Sequence, residues 1–210
     1  MPCTIDHLTV TAPTLAAGVA YVQDRLGVPL DPGGAHPRMG THNALLRLGE
    51  GLFLEVIAVD PAAPAPAHRR WFDLDRLGAG ASPRLAAWVA RCDDIHAAIA
   101  ASPVSLGTVR TMTRGALEWR IGIPESGRAP HDGVLPMLIQ WPPGVHPAAA
   151  LPERGCSLVA LQGFHREPAG VRTTLAAIGF SGDFAVAPPA GDEPPRLVAT
   201  FQTPLGIRQL

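Results

Sequence analysis

The fold is decided by two apolar stretches, Ile5-Asp6-His7-Leu8-Thr9-Val10 and Gly51-Leu52-Phe53-Leu54-Glu55-Val56-Ile57-Ala58-Val59. Each has the length and apolar content of a buried strand. Each also carries a candidate metal ligand, His7 in the first and Glu55 in the second. Side chains alternate between the two faces of a strand, so the pattern predicts a small β-sheet that presents His7 and Glu55 to one pocket.

The same order of elements recurs three times along the 210 residues, as a strand, a helix and then two or three strands. In the first unit, Thr14 predicts the start of a helix over Leu15–Leu26, and Gly27 predicts its end. In the second unit, Asp93 or Asp94 predicts the start of the helix. We predict an α+β fold with a first βαβββ unit over 1–60, a linker over 61–83, a second βαβββ unit over 84–142, a linker over 143–156 and a third βαβββ-like unit over 157–210. Two units pairing would form a sheet-lined bowl, and the third would extend that sheet or pair with another copy.

The composition limits the classes of partner. Arginine supplies all 17 basic residues, and 18 acidic residues leave a net charge of −1, which does not favour nucleic-acid binding. No apolar run reaches the roughly 18 residues that a membrane span needs. The N-terminus lacks the basic and apolar regions of a signal peptide, so we expect a cytoplasmic protein. The three cysteines are far apart, which is typical of reduced, buried thiols.

Strand alternation also selects candidate ligand-binding side chains. In the strand after Gly40, it places Thr41, Asn43 and Arg47 on the surface that carries His7 and Glu55. These side chains would form a polar lining for a small-molecule pocket.

The second unit supplies a further polar set. Glu118 and Arg120 share one strand face, and Gln140 follows on another strand. With Arg91, Arg120 would give the pocket two guanidinium groups suited to an anionic ligand. The alternative is that Glu118 and Arg120 lie on a solvated strand face, because such residues are usually exposed.

These residues resemble the glyoxalase-like domain family of the vicinal oxygen chelate superfamily, which includes glyoxalase I, extradiol dioxygenases and bleomycin-resistance proteins. The segments that carry the resemblance are Ile5-Asp6-His7-Leu8, Gly40-Thr41-His42-Asn43-Ala44-Leu45, Leu52-Phe53-Leu54-Glu55-Val56-Ile57-Ala58, Arg114-Gly115 and Leu135-Pro136-Met137-Leu138-Ile139-Gln140-Trp141. The resemblance covers roughly residues 4–175. It implies two paired βαβββ units and, in active members, a divalent metal held by a pair of side chains from each unit.

His7 and Glu55 match the ligand positions of the first unit. In the second unit Ala87 stands where a histidine would be, and Gln140 or Glu118 would have to complete the site. The resemblance thus implies a site for Zn, Ni, Mn or Fe, at which the metal would polarise a substrate oxygen and Glu55 would shuttle a proton. The alternative is that His7 donates to Glu55 or Asn43 in a polar pocket without metal.

Two classes of function follow. The first is a metal-dependent lyase, isomerase or dioxygenase that acts on a small oxygenated substrate. The second is a metal-free protein that sequesters a small anionic or aromatic ligand between Trp and Arg side chains. An interaction protein with a filled, vestigial pocket is a third reading, and we expect a homodimer in each case.

Overall fold

The computed structural model describes residues 2–115 and 117–210. The first unit contains β1 (Thr4–Thr11), α1 (Leu15–Leu26), β2 (Asp31–His36), β3 (Thr41–Gly49) and β4 (Leu52–Val59). The second contains β5 (Arg84–Arg91), α2 (Ile95–Ala101), β6 (Thr108–Arg114), β7 (Leu117–Ile123) and β8 (Met137–Gln140). The third contains β9 (Ser157–Phe164), α3 (Pro168–Ala177), β10 (Phe184–Ala187), β11 (Arg196–Thr203) and β12 (Gly206–Gln209). Short 3₁₀ segments cover Trp71–Arg76, Pro130–Gly133 and Pro147–Ala150.

The first two units share one eight-stranded sheet of order β2-β3-β4-β1-β5-β8-β7-β6. The units meet at the antiparallel pair β1 and β5, and each of these strands has the last strand of its own unit as its parallel neighbour. The two edge strands, β2 and β6, contact each other, so the sheet curls into a half-barrel. This arrangement confirms the predicted α+β fold with paired, repeated units, while the exact residue ranges of the units stay a prediction.

The helices begin and end where the sequence indicates. Thr14 caps α1 by accepting a hydrogen bond from the Ala17 amide at 3.1 Å, and Gly27 ends it with a left-handed φ of 73°. Of the two candidates for α2, Asp94 is the cap, because its carboxylate accepts from two amide groups of the first turn. No helix in the described residues has the length and apolar content of a membrane span.

The third unit forms a separate four-stranded sheet of order β10-β9-β11-β12. Its buried face packs on the outer face of the half-barrel, where Leu161 and Phe201 join the core around Trp88. The Trp88 ring stacks on Phe184 with 4.8 Å between ring centroids. The predicted extension of the large sheet is therefore wrong, because the apolar face of the third unit is buried against β5. The predicted homodimer stays a prediction.

Candidate functional site

The inner face of the half-barrel holds an open recess of about 400 Å³, a volume that includes the solvent at its mouth and that we call the cavity. Its floor is polar and comes mainly from the first unit. Five aromatic rings surround it, from Phe53, Trp71, Phe72, Trp119 and Trp141. The wall from the second unit is completed by the apolar side chains of Ile121 and Ile139. The cavity therefore has one polar half and one apolar half.

A row of polar side chains crosses the floor. The Nη1 of Arg114 donates to Oδ1 of Asn43 over 3.1 Å, and Nδ2 of Asn43 donates to Oε1 of Glu55 over 2.6 Å. The other carboxylate oxygen of Glu55 lies 3.8 Å from Nε2 of His7, which is beyond hydrogen-bond distance. Strand pairing produces this row, because Asn43 and His7 are both diagonal neighbours of Glu55 across β4.

Asp6 fixes the orientation of His7 from behind the floor. A β-bulge between Ile5 and His7 breaks the strand alternation, and Asp6 is the extra residue at that break. Its fully buried carboxylate lies 2.6 Å from Nδ1 of His7, 3.0 Å from Nε1 of Trp141 and 3.0 Å from Nε2 of His146.

The charge of Asp6 determines the tautomer of His7. Burial alone would raise the pKa of Asp6, but the hydrogen bonds and charges of His146 and His7 outweigh it and lower the pKa to about 2. An ionised carboxylate can only accept, so Nδ1 of His7 carries a proton. In the neutral imidazole the lone pair is then on Nε2, on the side of Glu55. The ring also stacks on Phe53 at a centroid distance of 4.5 Å.

His36 lies beside this row on the first-unit side of the cavity. Its Nδ1 lies 3.2 Å from the Thr41 hydroxyl, which is how Thr41 is linked to the site. The ring meets Trp71 edge-on at 5.1 Å between centroids. Burial lowers the pKa of His36 to about 4, an effect that Glu55 partly opposes and Arg114 reinforces. His36 is therefore neutral at pH 7.

The segment that supplies Trp71 and Phe72 is strained. Phe72 and Asp73 have φ values of 56° and 57°, in the left-handed region that residues other than glycine seldom occupy. The Asp73 amide donates to the carbonyl of Gly127 over 2.9 Å, which ties the segment to the second unit. Such strain persists where the surrounding structure holds a side chain in a required place. Here it holds two aromatic side chains of the cavity wall.

Arg47 and Arg91 lie on the inner side of the sheet but outside this cavity. Arg47 donates to the Leu151 carbonyl over 3.2 Å and pairs with Glu153 at 2.8 Å, so it tethers the 143–156 linker. Arg91 donates to the Gly51 carbonyl and lies 3.9 Å from Asp6. The structure thus corrects the prediction that Arg47 lies beside Glu55 and that Arg91 lines the pocket with Arg120.

Glu118, Arg120 and Gln140 lie on the outer face. Glu118 and Arg120 are exposed, while the alternate residues of β7, Trp119 and Ile121, point into the cavity. Gln140 accepts a hydrogen bond from the Ile95 amide at 3.1 Å, at the start of α2. Their predicted place in the pocket was therefore wrong, and the alternative of a solvated face fits Glu118 and Arg120. The predicted alternation of β7 is correct, but its apolar face, and not its polar face, lines the cavity.

The donor set does not fit the four-ligand metal site that the superfamily resemblance implies. His7 and Glu55 offer two donor atoms, and Asn43 already occupies one oxygen of Glu55. Within the described residues, no group of three or more His, Cys, Asp or Glu side chains is placed to hold a metal ion. On the second-unit side, Ala87 and Ile139 are apolar inner-face residues. Metal binding at His7 and Glu55 stays a prediction.

Sequence reasoning missed much of the site. The missed cavity residues are His36, Trp71, Phe72, Arg114, Trp119, Ile121, Ile139, Trp141 and Pro147. Several come from segments predicted as linkers or loops, among them Trp71 and Phe72, which are both buried. One usable signal was present, since an aromatic pair inside a Pro-rich linker needs a place to be buried.

Comparison with known proteins agrees with this architecture. The model of the glyoxalase-like domain family matches residues 5–179. A hypothetical protein from Staphylococcus aureus superposes with a TM-score of 0.59 at 14% identity, over 85% of this chain and 75% of that one.

Two further structures superpose less well. Methylmalonyl-CoA epimerase from Mycobacterium tuberculosis gives a TM-score of 0.43 at 17% identity, over 66% of this chain and 88% of its own. A hypothetical protein from Bacillus halodurans C-125 also gives a TM-score of 0.43, at 13% identity, over 70% of this chain and 99% of that one. No curated protein matches. At 14% identity the Staphylococcus aureus structure supports the fold alone, whereas the family match covers most of the chain. The chain belongs to the glyoxalase-like domain family of the vicinal oxygen chelate superfamily.

Proposed function

We propose that this protein binds a small aromatic ligand that carries an anionic oxygen, and that it does so without a protein-held metal. The observation that carries the proposal is the guanidinium of Arg114, which faces an aromatic-walled cavity. Among the described residues no carboxylate forms an ion pair with it, and its nearest polar partner is the amide oxygen of Asn43. Burial lowers the pKa of Arg114, although nearby Glu55 opposes the effect. A partly desolvated cation that has no direct ion-pair partner among the described residues favours an anion in the cavity.

The other polar groups of the cavity offer the ligand one hydrogen-bond donor and two acceptors. The indole N–H of Trp71 is buried in the wall and lacks a hydrogen-bond partner among the described residues, so it can donate to a ligand oxygen. At the other end of the row, the lone pair of His7 Nε2 and the carboxylate of Glu55 both accept. A ligand hydroxyl can donate its one proton to either of these two acceptors, which are 3.8 Å apart. The rings favour a planar body by stacking.

Matched pairs of small aromatic compounds test this proposal. Benzoate, meta-hydroxybenzoate and benzamide would be titrated into the protein and followed by calorimetry or by NMR. We expect the carboxylates to bind more tightly than the neutral amide, and the hydroxyl-bearing one most tightly. Arg114→Ala should weaken carboxylate binding about 10-fold or more, because a charge-assisted hydrogen bond is lost. Arg120→Ala, on the outer face of the neighbouring strand, is the control and should leave the affinity unchanged.

Two results would contradict the proposal. One is equal affinity of the carboxylate and its amide, and the other is an equal loss of affinity in Arg114→Ala and Arg120→Ala. Either would remove the role assigned to the guanidinium.

A second candidate is a lyase or isomerase reaction in which Glu55 moves a proton. It is favoured by the Asp6–His7 contact, which places the Nε2 lone pair beside the free oxygen of Glu55. The experiment is to incubate each compound that binds in D₂O and to follow its C–H signals by NMR. Loss of a ligand C–H signal with wild-type protein, but not with Glu55→Gln that still binds, would support catalysis. Ligand C–H signals that stay unchanged with both proteins would indicate binding without catalysis.

A further inference from the structure

Two of the three cysteines stand opposite each other at the seam between the first two units. Thr4 of β1 pairs with Arg91 of β5 in an antiparallel register, and that register, continued by one residue, sets Cys3 opposite Cys92. Directly opposed residues in such a pair have Cα atoms about 4.5–5.5 Å apart, which lies within the range that a disulfide spans. The register therefore places both thiols within bonding reach without rearrangement of the strands.

The backbone holds each cysteine in place from a different side. The Cys3 amide donates to the Gly179 carbonyl over 3.0 Å, and the Ser181 amide donates to the Cys3 carbonyl over 2.7 Å. The Cys92 amide donates to the Ile139 carbonyl over 2.9 Å. Cys3 is thus fixed by the third unit and Cys92 by β8.

The two side chains are close enough for each to shift the pKa of the other. The largest cause of the shift is the partner thiol in both cases, and the pKa is lowered for Cys3 and raised for Cys92. The Cys3 sulfur also lies 3.1 Å from the Ile178 carbonyl oxygen, to which its thiol donates when protonated. Cys3 is fully buried, whereas Cys92 borders an open surface cavity with Pro2, Thr4 and Arg91, so a small oxidant reaches the pair from the Cys92 side.

We propose that Cys3 and Cys92 are a modification site, a thiol pair that hydrogen peroxide converts to an intramolecular disulfide. The thiolate of one cysteine attacks one peroxide oxygen, the O–O bond breaks, and a sulfenic acid and hydroxide form. The sulfur of the other cysteine then attacks the sulfenic sulfur, forms the S–S bond and releases water with its own proton. In total, two thiols are oxidised and one peroxide is reduced to two waters. The bond would join the first unit to the second, three residues from Asp6.

The third cysteine provides a matched control. Cys156 is also buried, and burial raises its pKa, but it has no thiol partner in the described residues. Reduced protein would be treated with peroxide, denatured and alkylated, and the number of alkyl groups read by intact mass. Wild type should fall from three alkyl groups to one, and Cys156→Ser from two to none. Cys92→Ala and Cys3→Ser should form no intramolecular disulfide.

Peptide mapping of the oxidised wild type locates the bond even if a variant does not fold. A bond that includes Cys156, a bond between two chains, or thiols that stay reduced or reach sulfinic acid without a disulfide would each overturn the proposal. The result does not depend on ligand binding, because no residue of the cavity row takes part.

Discussion

Protonation of His36 should make the stability of this protein depend on pH in a defined range. The pKa of His36 is lowered from 6.5 to about 4 in the folded protein, chiefly by burial. Between these values the unfolded chain binds a proton at this residue and the folded chain does not. The free energy of unfolding should therefore fall as the pH drops from 6.5 towards 4, and this contribution should level off below 4.

The magnitude follows from the two pKa values. Protonation of His36 should lower the free energy of unfolding by about 2 kcal/mol between about pH 7.5 and about pH 5, and by about 3 kcal/mol by about pH 4. Urea unfolding, followed by tryptophan fluorescence, measures this loss in wild type and in His36→Gln. The glutamine keeps a polar side chain but does not titrate, so the variant should lose less stability by about that amount. His96→Gln, at an exposed position on α2, is the control and should behave like wild type.

The comparison cancels the contributions of the other histidines, because they are present in both proteins. The reasoning would be refuted if wild type and His36→Gln lost equal stability between these pH values. An NMR titration that gave His36 an ordinary histidine pKa would refute it as well. Either result would mean that water or a carboxylate stabilises the charged form of this ring inside the cavity.

Two further predictions concern metal content and backbone strain. Untagged wild-type protein, incubated with Ni, Zn, Mn or Fe, should hold much less than one metal ion per chain by elemental analysis. The reason is that His7 and Glu55 supply only two donor atoms. One metal ion per chain in wild type that is absent from His7→Ala would contradict this prediction. Gly133→Ala should lower the free energy of unfolding by about 2–4 kcal/mol, since φ is 92° and a Cβ would overlap the Ala86 carbonyl. Gly170→Ala, exposed in α3 with open space around it, should instead raise it by about 0.5 kcal/mol in the same urea assay, and equal effects of the two changes would refute the strain argument.

The first half of the site could be predicted because its inner face is marked by polar residues. In β3 and β4, Asn43 and Glu55 interrupt apolar strands, and a polar side chain in a buried strand has to face either a partner or a cavity. Alternation then fixed which neighbours share that face. The exception is Asp6, which a bulge brings beside His7, and no local pattern indicates that bulge.

The second half could not be predicted by the same rule. In β7 the polar residues Glu118 and Arg120 face solvent, and the inner face carries Trp119 and Ile121. The rule that polar residues mark the pocket therefore selects the wrong face. The inner face of β7 can be recognised only from its contact with Trp71, which comes from a distant linker. That contact is tertiary, so no local sequence pattern reveals it.

The edge strand β2 could not be predicted from the sequence for a different reason. β2, with the sequence DPGGAH, lacks an apolar alternation and contains proline and glycine, which sequence patterns associate with turns. It can still form a strand because it lies at the sheet edge and pairs on one side with β3. There Gly34 also has a structural role, since its amide donates to Asn43 Oδ1 over 2.9 Å and a Cβ would crowd Arg114.

The division of the cavity into two unlike halves determines how a ligand would lie in it. The fold repeats one unit on both sides, yet the position of His7 on the first side has Ala87 as its counterpart on the second. A metal held by four side chains would draw equally on both units, whereas the polar row of this cavity takes three members from the first unit and only Arg114 from the second. Asn43 is the central member, because it accepts from Arg114 and donates to Glu55 and so fixes both charged groups. A ligand would therefore lie with its polar edge along this row and its apolar face against Trp119, in a single orientation that the asymmetry of the two units imposes.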